Sequence, residues 1–198
     1  MNLKRVNRLL LGLIILVDGY IIMAPLVPAI TFWWDGRGGT KQRQLTAAVH
    51  RAAAPSSVVA AAPQPNHVII PSMLLDKPIL EGLERDTYKI LNQGIWRWPT
   101  GSTPDKGSNT VLIGHRFTYT QPKGVFYYLN KVKMGDEIGV WWSNKLYTYT
   151  VSDVREVPPT ETSIEDATPD SRLTIFTCTP LWLPKDRLVV TAKLEANP

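Results

Sequence analysis

The sequence predicts a mainly β domain folded as a closed or nearly closed barrel, preceded by a single N-terminal transmembrane helix. Three observations carry that expectation. From His67 onward the chain is a series of short runs, HVIIPS, NTVLIGH, EIGVWW, KLYTYTVSDV, RLTIFTC and RLVVTAKL, rich in Val, Ile, Thr, Tyr and Trp and several of them alternating. Turn residues separate the runs, helical stretches are few, and there is neither a repeat period nor a strand-helix alternation, which favours an antiparallel barrel over a solenoid or a parallel α/β sheet. Upstream of all this lies one long apolar run, residues 9–30. Apolar content of 44% with seven Trp suffices for a sizeable core in the remainder.

Residues 1–8 form a basic N-terminus with Lys4, Arg5 and Arg8, expected to stay in the cytoplasm while the C-terminal bulk lies outside. Residues 9–30 exceed the about 20 residues that a helix needs to cross the hydrocarbon core, so a lipid bilayer is the first partner the sequence implies. A cleaved signal peptide is the competing reading. The run is longer than an apolar signal core of about 7–15 residues and no clean small-x-small site follows it, which favours an uncleaved anchor. Phe32, Trp33 and Trp34 fall where an outer aromatic belt is expected, and Pro25 and Pro28 should end or kink the helix. Asp18 within the run has no functional account.

Residues 31–66 read as a mostly extended or flexible linker rich in Ala, Pro and Ser, with His50 solvated. Residues 67–198 are the barrel domain. Within it, SNK between EIGVWW and LYTYTV is a hairpin turn, and GVFYYLNKV is the best short-helix candidate, with Phe126 and Leu129 on one face.

The charge excludes a nucleic-acid partner. Residues 1–51 hold seven Lys/Arg against two Asp, whereas the rest holds fifteen of each sign, so the net +5 belongs to the N-terminal arm. One cysteine permits neither an intramolecular disulfide nor a multi-Cys zinc site. Asp105, Asp136, Glu137, Glu161, Glu165 and Asp166 are scattered or on turns and read as solvated, so no metal and no cofactor is implied.

Three residues carry the chemistry. His115 follows one strand run, Cys178 ends another, and Arg187 opens the last. Singly, each has a plain structural reading: a core thiol, a hydrogen-bonded strand-end imidazole, a guanidinium paired with Asp186 or another carboxylate. Together they supply thiol acyl transfer. A thiolate is the nucleophile, an imidazole can move its proton and protonate a leaving amine, and a guanidinium offers permanent charge and donors to a developing oxyanion. Strand alternation puts Ile113 with His115 and Phe176 with Cys178, either as an apolar groove or as ordinary core.

The run LTIFTCTP, with an Arg nine residues after the Cys leading into LVV, resembles the sortase signature, and NTVLIGHR is similar to that family's segment ending in its catalytic His. VIIPSMLLDKPILEG, GIWRWP and GVFYYLNKVKMGDEI extend the resemblance across residues 67–194. It implies a closed eight-stranded β-barrel with short helices. It implies Cys178 as nucleophile, His115 as proton partner and Arg187 as cationic stabiliser, with Thr177 ordering the oxyanion site. The partners implied are secreted proteins carrying a C-terminal LPxTG-like sorting signal, and an amine acceptor from a cell-wall precursor or a pilin lysine. TPLWLPKD between Cys178 and Arg187 is short, and its Trp182 lines the groove or caps the barrel. The Asp-Pro-aromatic lid of many pilin-polymerising members is not found, so the resemblance is rather to a general-anchoring or class D/E-like member. Papain-like peptidases place Cys before His and on a helix, and the Ser-His-Gly-Cys-x-Arg pattern of cell-wall L,D-transpeptidases is missing. The alternative of another class is a catalytically silent sortase-like barrel serving as a membrane-tethered binding or structural module.

Overall fold

Alternation along the chain builds a sheet that closes on itself. The computed structural model describes residues 3–23, 26–36, 39–53, 65–118, 122–181 and 183–195. Eight strands follow one another: β1 (His67–Ile70), β2 (Leu75–Leu80), β3 (Ile95–Arg97), β4 (Asn109–Ile113), β5 (Glu137–Trp142), β6 (Lys145–Val157), β7 (Arg172–Thr179) and β8 (Asp186–Leu194). They form a closed barrel in the order β1-β2-β3-β4-β7-β8-β6-β5, with β1 pairing back onto β5. The pairs are antiparallel except β2–β3 and β4–β7, which are parallel. Closure leaves no free sheet edge.

Local chemistry explains the turns. The β5–β6 hairpin turns through Ser143 and Asn144 at φ of +50° and +62°. Positive φ at both central residues gives the twist that a two-residue hairpin requires, and Asn tolerates it well. Strand β6 runs three residues past its expected end. A bulge between Val151 and Asp153 lets it leave β5 and continue along β8 as far as Val157.

GVFYYLNKV is helical in a tighter form than expected. Its amides bond three residues back, Tyr127 to Gly124, Leu129 to Phe126 and Val132 to Leu129. At three residues per turn Phe126 and Leu129 stack on one edge, and both are fully buried. A five-residue helix, α4 (Thr87–Leu91), precedes β3 and was not signalled by periodicity.

The N-terminal region is helical where an extended tether is expected. The chain divides into an N-terminal unit, Met1–Thr40, and a second unit, Lys41–Pro198. In the first, α1 (Leu3–Met23) is long and apolar enough to cross a membrane. It ends before the two prolines, and α2 (Leu26–Gly36) carries Phe32, Trp33 and Trp34. The third helix, α3 (Thr40–Ala53), spans TKQRQLTAAVHRAA, a stretch of strong helix formers with no proline. It is no free tether. Val49 is fully buried and packs where Gly139 of β5 lacks a side chain. Burying one Val is worth about 1.5–3 kcal/mol, enough to dock a short helix. His50 keeps most of its surface in water, but its Nε2 lies 2.9 Å from Glu137 Oε2, so neither group is simply solvated.

Candidate active site

Strand register brings the three residues of interest together. In the β7–β8 ladder Cys178 stands opposite Arg187. In the parallel β4–β7 ladder Ile113 stands beside Phe176, each two residues before His115 and Cys178 respectively. Past the end of the ladder the two segments remain in contact: Thr177 Oγ1 donates to the Gly114 carbonyl at 2.7 Å, sixty-three positions away. The end of β7 thus lies between the segment that leads into His115 and the strand that carries Arg187.

The two faces of β7 divide the labour. Leu173, Ile175, Thr177 and Thr179 point into the barrel and are buried. Thr174, Phe176 and Cys178 share the other face. There Phe176, 6% exposed, packs with Val111, Val157, Ile164 and Val189, flanked by Trp98 and Ile113. Cys178 lies just beyond this apolar patch and is exposed to solvent. Ile113 and Phe176 are therefore both packed, and Phe176 shares the face of β7 that carries Cys178. Thr177 faces inward, where its hydroxyl ties β7 to the end of β4. Trp182 lies outside the described residues.

Glycines seat the histidine. A side chain at Gly124 would meet the His115 carbonyl oxygen at 2.3 Å, and one at Gly114 would meet Val125 and Phe126 at 2.6 and 2.7 Å. Those absences let the 124–126 turn press against the backbone of His115, where the Phe126 amide donates to its carbonyl at 3.0 Å and the Gly124 amide to that of Arg116 at 3.1 Å.

Arg187 is held from two sides. Its guanidinium lies 5.0 Å from the Phe176 ring centroid, and its Nη1 donates to Glu165 Oε1 at 3.0 Å. Glu165, expected in solvent, is thus part of the site. So is Arg116, which sequence reasoning passed over. Its Nη1 donates to Thr179 Oγ1 at 2.8 Å, and that hydroxyl lies 3.2 Å from Glu156 Oε1. The available signal was alternation: the residue after an outward-facing His should turn inward, toward the residue after an outward-facing Cys.

Burial sets the protonation states. It pushes the Cys178 thiol up, against the opposing pull of Arg187, and it pushes the His115 imidazole below its usual range. Both shifts favour the neutral form of the group. Where a neutral thiol meets a neutral imidazole, one proton can move between them when a carbonyl arrives.

An all-strand barrel with a solvent-accessible thiol at the end of one strand, flanked by a His-bearing and an Arg-bearing neighbour, defines a class of thiol-bearing β-barrels. Residues 68–195 match the model of the sortase domain, and the chain belongs to the sortase family, a family of transpeptidases. It is 30% identical over 140 residues to sortase SrtE1 of Streptomyces coelicolor, covering 63% of this chain and 38% of that protein. The chain thus spans about two fifths of the length of that curated relative. Among solved structures, sortase C1 of Streptococcus agalactiae superposes with a TM-score of 0.58 at 27% identity, covering 67% of this chain and 68% of that one. Sortase E1 from Streptomyces coelicolor, with a tripeptide in its active site, gives a TM-score of 0.57 at 28% identity, covering 66% and 87%.

Proposed function

We propose that the chain is a membrane-anchored cysteine transpeptidase with Cys178, His115 and Arg187 as its catalytic residues. The observation that supports this reading is the register that sets Arg187 opposite Cys178 on β8 and runs Ile113, two residues before His115, beside Phe176, two residues before Cys178, at an apolar patch. The substrate is a secreted protein with an LPxTG-like sorting signal, whose apolar residues lie against Ile113, Phe176 and Trp98.

The reaction has two halves. His115 takes the Cys178 proton as the sulfur attacks the backbone carbonyl carbon, and the resulting oxyanion is stabilised by Arg187. The carbon–nitrogen bond then breaks, the departing amine takes the proton back from His115, and a thioester remains on Cys178. An incoming amine from a cell-wall precursor or pilin lysine attacks the thioester and gives its proton to His115. The carbon–sulfur bond breaks and the thiol is restored. Apolar helix α1 supports anchoring in a bilayer, and the basic residues ahead of it support a cytoplasmic N-terminus with the barrel outside.

Peptide cleavage by the full chain in detergent, compared with Cys178→Ala, tests the reading. The expected result is loss of cleavage in the variant, together with a wild-type acyl-enzyme seen by mass spectrometry and released by hydroxylamine. Equal rates for both proteins on a panel of sorting peptides would sink the nucleophile assignment and leave the barrel as a tethered binding module.

A further inference from the structure

Glu165 sits on a single 3₁₀ turn, Ser163–Glu165, in the long connection between β6 and β7. Such connections usually wander, but this one is fastened to the sheet. The side-chain amide of Asn109, at the start of β4, donates at 3.0 Å to the carbonyls of Ile164 and of Asp166, the two residues that bracket Glu165. The other end of the same amide, Oδ1, accepts from Thr174 Oγ1 of β7 at 2.8 Å. Asn109 and Thr174 are each only 2% exposed, and Ile164 is buried in the Phe176 patch beneath the turn. Every polar group of that amide side chain that could locate the turn is engaged. The turn is also braced from within by a hydrogen bond from Ser163 Oγ to the Glu161 carboxylate.

The Glu165 carboxylate therefore leaves a fixed platform and reaches Arg187 through one contact, Nη1 to Oε1 at 3.0 Å. A guanidinium carries five N–H donors, so a single contact orients the fork while leaving its other donors for a ligand. The Phe176 ring beneath it removes the remaining freedom.

We propose that Glu165 is the positioning residue of Arg187, and that the Asn109 anchor exists to aim its carboxylate. The proposal rests on the reading of Arg187 as the oxyanion stabiliser and adds to it the part that holds the guanidinium before substrate arrives. A stabilising donor misplaced by an ångström forfeits much of its effect, and the flexible arginine stem cannot hold that position alone.

A double-mutant cycle tests it. Wild type, Glu165→Ala, Arg187→Ala and the double variant, each as the full chain in detergent, are compared for the single-turnover rate of thioester formation on an LPxTG-type peptide and for Tm. Glu165→Ala is expected to slow acylation by about tenfold to a hundredfold. The double variant should be no slower than Arg187→Ala, because Glu165 acts only through that guanidinium. Glu165→Gln should recover part of the rate, since the amide oxygen still accepts from Nη1. Equal slowing by Glu165→Ala in both backgrounds, or no slowing at all, overturns the proposal. Should Glu165→Ala lower Tm, Glu165→Met, which fills similar space but cannot accept from Nη1, takes its place in the cycle under the same criteria. A wild-type rate in Arg187→Ala removes the role of Arg187 and this proposal with it, whereas turnover by Cys178→Ala refutes the enzyme reading itself; the two failures are read from different variants.

Discussion

Cys178 and Arg187 are directly opposite each other across the β7–β8 ladder, so their side chains leave the sheet on the same face. The Arg187 charge pulls the thiol's pKa down, against the burial that pushes it up.

Replacing Arg187 with Lys keeps the charge and discards the planar fork. The Glu165 contact and the seat on Phe176 both depend on guanidinium geometry. Peptide cleavage should fall by about a hundredfold in kcat/KM, the scale of losing one preorganised oxyanion donor. Near-normal turnover would mean that Arg187 serves only as a structural partner for Glu165.

Alkylation of Cys178 by iodoacetamide should report the raised thiol. Only the thiolate reacts, so the rate–pH curve of the wild type should have its midpoint above the ordinary thiol value of about 8.5. Arg187 lowers that pKa and burial raises it, so Arg187→Met removes the lowering influence. The midpoint should move to still higher pH. A curve that moves to lower pH in this variant would show that the guanidinium does not act on the sulfur.

Gly124→Ala tests the seat of the histidine. The added carbon would lie 2.3 Å from the His115 carbonyl oxygen and 2.6 Å from its carbonyl carbon, both backbone atoms that cannot swing aside. Overpacking of this kind costs about 1–3 kcal/mol. Chemical denaturation should show that loss, and cleavage should drop further than stability explains because His115 itself is displaced.

For α3 the decisive contact is apolar. Val49→Asp places a carboxylate against Gly139 in a fully buried position and should release the helix, seen as fast hydrogen exchange at 41–53 with the barrel strands still protected. His50→Ala removes a largely exposed pair worth at most about 1 kcal/mol and should leave α3 protected. Loss of protection in the second variant and not in the first would reverse the order of these two contacts.

The barrel was legible because its strands announce themselves by alternation and its tightest hairpin by Ser143–Asn144. The strand-end positions of His115, Cys178 and Arg187 were legible for the same reason, since each borders an apolar run. What escaped depends on contacts between distant single residues. Asn109 looks like any polar residue at a strand start until its amide is found 55 and 57 positions away along the chain. Glu165 looked solvated because only the folded turn aims it. The docking of α3 hinges on a missing side chain at Gly139, which no pattern of hydrophobicity in the helix reveals. Where a group's partner is set by topology, composition alone reads it as surface.

The parallel pairing of β4 with β7 also bears on when the surroundings of Cys178 are assembled. Contacts of such long sequence separation form late, after the intervening loop has closed at an entropic cost. Strand β4 is made well before β7, and β8 follows it, so the segments that flank Cys178 in the barrel are gathered only when these non-local pairings close.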